Sequence, residues 1–356
     1  MKKQTGSGFG NALRQLTVPL VAIAILIVFN LIRDPAFFSV TTTVNNTGRT
    51  VLAGNLISII NGASELAILA MGMTLVTAAS GGQDIAVGAT AAVCGSVFVK
   101  VLSSGASITG LSILIAVVAC IAAGMLCGLF NGTLVSVFKI QPMIATLILF
   151  TCGRSIAYWI NGGATPTVSS PIVTAIGSFI PGVPVPTPIF IVIFVGLCFG
   201  LLFRFTSIRL YMQSVGINQR AARLNGINPV VIKMLAFVLL GVCCAFSGVI
   251  SVSRLSLINH ETILLEIEMD AILAVAIGGN SLGGGKFRMA GSVLGAYAIQ
   301  ALTTTLYAMK VPSTDIKAYK AVVIILLVVL GSPVVKKAFA NLKLKWAQRS
   351  AKGAEA

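Results

Sequence analysis

The sequence predicts an all-α fold: a polytopic transmembrane helical bundle of about ten spans, with the N- and C-termini cytoplasmic. Three observations carry that prediction. Hydrophobic residues make up 56% of the 356 and charged residues only 10%, and the mean hydropathy is +0.99, a composition outside the range of water-soluble domains. Apolar runs long enough to cross about 30 Å of hydrocarbon recur from Val18 to Val335. Lysine and arginine fall in short segments between those runs, so the net charge of +16 marks membrane orientation and not nucleic-acid binding.

In chain order, Lys2, Lys3 and Arg14 precede the first run, Val18 to Ile32. No small-residue cleavage site follows it, so it reads as a retained span behind a cytoplasmic segment, 1–16. Further spans are expected near 57–79, 85–104, 108–138, 143–161, 188–204, 232–253, 269–279, 290–309 and 319–335, all in one membrane domain, 17–335. The eighth is short for a full crossing, and its Gly-rich end suggests a helix that breaks off within protein. With the N-terminus inside, most of the 25 lysines and arginines come to lie inside, including Lys139, Arg204, Arg209, Lys233, Lys286, Arg288 and the basic tail 336–356. The outer loops carry Asp34, Glu261, Glu266, Glu268 and Asp315. A Pro- and Gly-rich outer loop, 161–188, separates five spans from five, and an odd number inverts the second half relative to the first.

Two inner segments stand out. In the stretch 206–232, Ala221, Ala222, Arg223 and Leu224 offer a short helix before Gly226 and Pro229, a docking element for a cytoplasmic partner. The other is Gly-rich and runs from Gly278 and Gly279 to Gly284 and Gly285. Between the second and third spans, Gly81, Gly82 and Gly88 permit a sharp turn and close helix approach, and Asp84 is placed to cap the next helix. That segment reads as a capped turn, or else as a gating or docking element. Gly124, Gly128 and Gly132 form tight packing steps, as do Gly291 and Gly295.

Glu65 and Arg154 lie within spans at similar depth from the outer side, where a charge costs about 3 kcal/mol or more. They are expected to pair or to line one polar cavity, unless either snorkels to the interface. Asn61, Asn131, Gln141, Thr146, Tyr158 and Asn161 could hydrogen-bond a polar solute, with Phe150 or Trp159 as an apolar face. The same residues could equally cross-link or cap helices. The seven cysteines sit in apolar stretches without C-x-x-C spacing, and His260 is the one histidine, so no metal site or disulfide framework is expected. Lys286 follows glycines, but Asn280 and Phe287 stand where a phosphate loop needs Gly and Ser or Thr. No catalytic residue or cofactor is expected.

Ser80-Gly81-Gly82-Gln83-Asp84-Ile85-Ala86-Val87-Gly88 resembles the S-G-G-I-D-L-S-V-G signature of ribose-type monosaccharide permeases of bacterial ABC importers. Asn131-Gly132, the run Lys139 to Leu147, and Gly153-Arg154 are similar to that family's N-G, K-I-x-P-x-I-x-T-L and G-R elements. Gly216 and Asn218 through Arg220, Ala221, Ala222, Arg223 and Gly226 resemble its cytoplasmic loop, and Glu268-Met269-Asp270-Ala271-Ile272 with Gly278 to Gly285 its E-L-D-A-I and G-G-x-S-L-x-G-G runs. Gln83 and Ala86 depart from the usual Ile and Ser, in the direction of galactofuranose-type permeases. The resemblance implies a sugar-conducting subunit of the cytoplasmic (inner) membrane, without ATPase activity of its own. It implies a cytoplasmic ABC ATPase that seats the 216–227 loop, an extracytoplasmic sugar-binding protein, and a second permease copy, identical or paralogous. Transport of another neutral solute such as a nucleoside is the alternative, and ion-coupled transport or a channel a more distant one.

Overall fold

The computed structural model describes residues 16–44, 50–105, 108–168, 170–180 and 182–331. The chain forms two compact units, residues 1–304 and 305–356. The N-terminal segment up to residue 15 and the basic tail 336–356 lie outside the described residues.

Every expected apolar stretch carries a helix. In order these are α1 (Thr17–Arg33), α2 (Asn55–Gly62) and α3 (Ser64–Ser80), α4 (Val87–Ser103), α5 (Gly110–Ser136), α6 (Pro142–Ile160), α7 (Pro171–Gly177) and α8 (Thr187–Phe205). Then come α9 (Ile208–Ile217), α10 (Gln219–Leu224), α11 (Pro229–Leu255), α12 (Ile267–Ile277), α13 (Met289–Ala308) and α14 (Ser313–Gly331). The α2–α3 pair, α5, α6, α8 and α11 are each long and apolar enough to cross a membrane. The expectation of helix alone needs one correction: Thr41–Val44 (β1) pairs antiparallel with Thr50–Ala53 (β2), a Thr- and Val-rich hairpin that suits β structure.

Helix starts follow local chemistry. Proline opens α6 and α11, where its missing N–H costs no hydrogen bond. Thr109 and Ser112 form a reciprocal capping box on α5. Helix α3 ends on Gly81, whose φ of 70° is the left-handed value glycine adopts without strain.

Helix α3 is buried on every side except at Ser80, and α11 is buried along most of its length. A helix apolar all round in this way belongs to the interior of a bundle. By contrast, α5 and α8 leave Leu114, Val118, Leu126, Phe194 and Leu197 exposed, as lipid-facing surfaces do. Gly124 and Gly128 bring α5 against the backbone of α11 at Gly241 and Phe237, and a Cβ at either would overlap a carbonyl oxygen. The order of those contacts makes α5 and α11 antiparallel.

Two of the shorter helices begin within the bundle. Gly248 of α11 lies against Ala91 and Gly95, and Gly95 in turn against Val252, so α4 runs parallel to α11. One turn earlier, the start of α4 falls beside the middle of that 27-residue helix. The preceding segment is therefore no tight turn. Gly82 packs on Pro142, the Ile85 N–H donates to Thr146 Oγ1, and Ala89 meets Gly153, so this stretch climbs alongside the first half of α6. Helix α12 has 11 residues. Its glycine-rich end packs on protein, Gly278 against Gly291 and Gly284 against Gly81, and its N-terminus too starts inside the bundle, next to Gly88 of α4.

Candidate functional site

The chemistry converges where α4 and α12 begin. Gly88, in the first turn of α4, leaves room for a carboxylate: a Cβ there would sit 2.5 Å from Glu268 Oε2, 2.8 Å from the Leu264 carbonyl and 3.5 Å from Arg154 Nη2. Glu268 belongs to the first turn of α12 and is 2% exposed. One carboxylate thus stands at the N-terminal ends of two helices, whose aligned peptide dipoles favour negative charge. The backbone leading into α12 is forced, with Leu264 at φ 46° and Glu266 at φ 65°, values that cost non-glycine residues energy and cluster at functional positions.

Arg154 does not pair with Glu65, as the sequence suggested. Its Nη1 donates to the carbonyls of His260, Glu261 and Ile263, fastening the segment that leads to α12. Glu65 instead binds Arg254 at 3.0 Å. Arg254 also donates to the carbonyl and Oδ1 of Asn61, and Ser247 Oγ donates to the Glu65 carbonyl. Equal depth did not mean equal position, because Glu65 on α3 and Arg154 on α6 have separate partners.

Asp84 accepts from the Ala86 N–H at 2.7 Å and from Asn131 Nδ2 at 3.2 Å, which holds the climbing segment to α5. Thr146, fully buried, holds the same segment to α6. Three buried polar atoms have no hydrogen-bond partner among the described residues: Arg154 Nη2 and Glu268 Oε2, both beside Gly88, and Asn131 Oδ1, on the amide that holds Asp84. Two accept and one donates, a set complementary to hydroxyls, which do both. Phe150 is half-buried on α6. Tyr158 is 47% exposed, with its ring 4.8 Å from that of His260, and Trp159 and Gln141 are exposed.

The predicted path residues therefore divide into Asn61 with Glu65, Asn131 with Thr146, and Arg154, while Tyr158 stands apart. Sequence reasoning missed Arg254, which ends the apolar stretch of α11, and placed Glu268 among exterior acids. The signal for Glu268 was the E-x-D pair opening a short helix.

A glycine junction occupies the other end of this region. Gly216 in the last turn of α9 packs directly on the Ala78 carbonyl, and the Gly285 N–H donates to that same oxygen at 3.1 Å. Gly284, at φ 93°, lies against Gly81 and the Gly216 carbonyl, and Gln83 Nε2 donates to the Leu282 carbonyl. Asn280 pins the loop, accepting from the Arg288 N–H and donating to Ser292 Oγ at 2.8 Å. Gly278 packs against Gly291, Gly279 has φ 81°, and Asp270 sits half-buried in the first turn of α12. Next to this junction the 206–232 segment holds α9, which the sequence did not reveal, and α10, where a short helix was expected. Asn218 caps α10 by accepting from the N–H groups of Arg220 and Ala221. Ala222 is buried, Arg220 and Arg223 are exposed, Leu224 is 89% exposed, and Gly226 takes φ 78°.

A helical membrane protein whose broken helices meet at a polar centre has the architecture of a transport protein. The chain belongs to the family described as branched-chain amino acid transport system / permease component, which it matches over residues 55–331. It is 38% identical over 317 residues to a galactofuranose transporter permease protein of Escherichia coli, covering 88% of each chain. It is 35% identical over 355 residues to a fructose import permease protein of Bifidobacterium longum, covering 98% of this chain and 97% of that one. A ribose import permease protein of Escherichia coli is 34% identical over 340 residues, covering 93% and 99%. No solved structure matches the chain.

Proposed function

We propose that this chain is the membrane-spanning subunit of an ATP-driven importer and conducts a monosaccharide past the polar centre at the start of α4 and α12. The observation that carries the reading is the set of uncommitted buried atoms on Asn131, Arg154 and Glu268, in a chain whose relatives are named for galactofuranose, fructose and ribose. Ten spans with both termini in the cytoplasm accord with the distribution of Lys and Arg. In that orientation α10 faces the cytoplasm, and Arg220 and Arg223 meet a separate ATPase subunit that hydrolyses the nucleotide. A soluble sugar-binding protein delivers substrate from outside, and a second permease copy completes the path.

A zwitterionic amino acid, the solute class in the family's description, would also find an anion and a cation at Glu268 and Arg154. The named relatives favour sugar. Uptake of labelled monosaccharides by proteoliposomes decides between them. Uptake should require ATP, the ATPase and the binding protein, and unlabelled sugar but not leucine should compete. Uptake driven by a proton or sodium gradient with this chain alone would exclude the importer.

A further inference from the structure

Away from the polar centre, a cavity of about 250 Å³ opens between the end of α5, the starts of α6 and α11, and α10. Its charge is of one sign. Lys139, Arg223 and Lys233 line it, and no acidic side chain does. The N-termini of α6 and α11 contribute as well, through Gln141 with Pro142 and Pro229 with Val230; both helices are long, 19 and 27 residues, and each adds partial positive charge there.

Two of the lining groups are committed to nothing among the described residues. Lys233 is 9% exposed, with no ion pair or hydrogen bond among the described residues, and Ser136, 5% exposed, leaves its buried hydroxyl without a partner. The Lys233 ammonium, on a largely buried side chain with no counter-ion among the described residues, is stabilised by any anion that reaches the cavity. Lys139 adopts φ 57° in the short connection between α5 and α6, an uncommon conformation for a non-glycine residue.

The neighbouring side chains say where the anion comes from. Val137 and Phe138 precede Lys139, Ile144 follows Pro142, and Val231 lies two residues before Lys233. All four are apolar and 50% or more exposed, so the cavity is bordered by surface suited to acyl chains. We propose that this cavity binds the phosphate headgroup of an anionic phospholipid, bridging the α5–α6 connection, α10 and α11. Basic pockets between membrane helices take such headgroups, and the ammonium groups of Lys139 and Lys233 suit a phosphodiester.

The test uses the full-length chain in lipid nanodiscs and in detergent, with native mass spectrometry and thermal unfolding as readouts. Phosphatidylglycerol should survive delipidating washes on the wild type, phosphatidylcholine should not, and Lys233→Met and Lys139→Gln should each weaken retention about fivefold. Should Lys233→Met fail to fold, the exposed Lys139 still carries the comparison. Equal retention of the two lipids, retention unchanged in Lys139→Gln, or stabilisation by inorganic phosphate with no preference for phosphatidylglycerol would each overturn the proposal. So would shielding of Lys233 that depends on added ATPase and not on lipid.

Discussion

Glu65 carries a carboxylate into the bundle with 6% of its side chain exposed, and Arg254 at 3.0 Å makes that tolerable. Removing one member of such a pair strands the other. Arg254→Met should therefore destabilise the protein by about 3 kcal/mol, the low end for a buried pair because 32% of the Arg254 side chain reaches solvent. Thermal unfolding in detergent should show that Glu65→Gln rescues Arg254→Met, whereas Glu65→Gln and Arg154→Met should be additive. Coupling between Glu65 and Arg154 would restore the pairing suggested by the sequence. Gly88 makes a second residue-scale case. A methyl group there forces out either Glu268 or the Leu264 carbonyl, an overpacking of about 1–3 kcal/mol. Uptake by Gly88→Ala should fall about tenfold or more, and near-normal uptake would separate Glu268 from the path.

At the scale of elements, α4 and α12 are the third and eighth apolar stretches of the chain, the positions that a five-plus-five inverted repeat would match. Each is preceded by irregular backbone that enters the bundle and is tied down by side chains. For α4 the ties are Asp84, Asn131 and Thr146, and for α12 Arg154. Thr146→Val deprives the Ile85 N–H of its acceptor and should cost about 1–3 kcal/mol, while Thr146→Ser keeps the hydroxyl and should cost much less. Equal losses for the two would mean that the hydroxyl does not hold the segment. The apolar stretches and the short helix at Ala221 to Leu224 were legible in the sequence because twenty-residue hydropathy and Gly or Pro stops are local signals. That α12 starts inside the bundle was not, since Glu261, Glu266 and Glu268 look alike in composition and only the folded path of 256–266 separates the buried one. Helix α9 escaped notice because Met212 and Val215 are buried within a segment that also exposes Arg209 and Ile217, leaving too short an apolar face to register.

For the molecule as a machine, the glycine junction matters because of what it joins. From Gly81 the chain climbs to the start of α4; from Gly285 it leads back through Asn280 to the end of α12; and Gly216 ties both to α9 and α10 through the Ala78 carbonyl. On the proposed function, a push on α10 by an ATPase reaches both α4 and α12 without crossing a loose linker, through backbones in direct contact. Gly216→Ala tests this directly, since its methyl would overlap the Ala78 carbonyl oxygen and pry α9 from α3. The exposed residues Arg220, Arg223 and Leu224, where we propose that the ATPase docks, are untouched by that change. The assembled transporter should keep its ATPase and its nucleotide hydrolysis, while sugar carried per ATP falls about tenfold, close to what 1–3 kcal/mol of misfit delivers. Leu224→Asp should do the reverse, lowering co-purification of the ATPase while transport per hydrolysed ATP in the complexes that remain stays near wild type. Wild-type stoichiometry in Gly216→Ala would mean that the stroke bypasses the Ala78 contact and reaches α4 and α12 by another route.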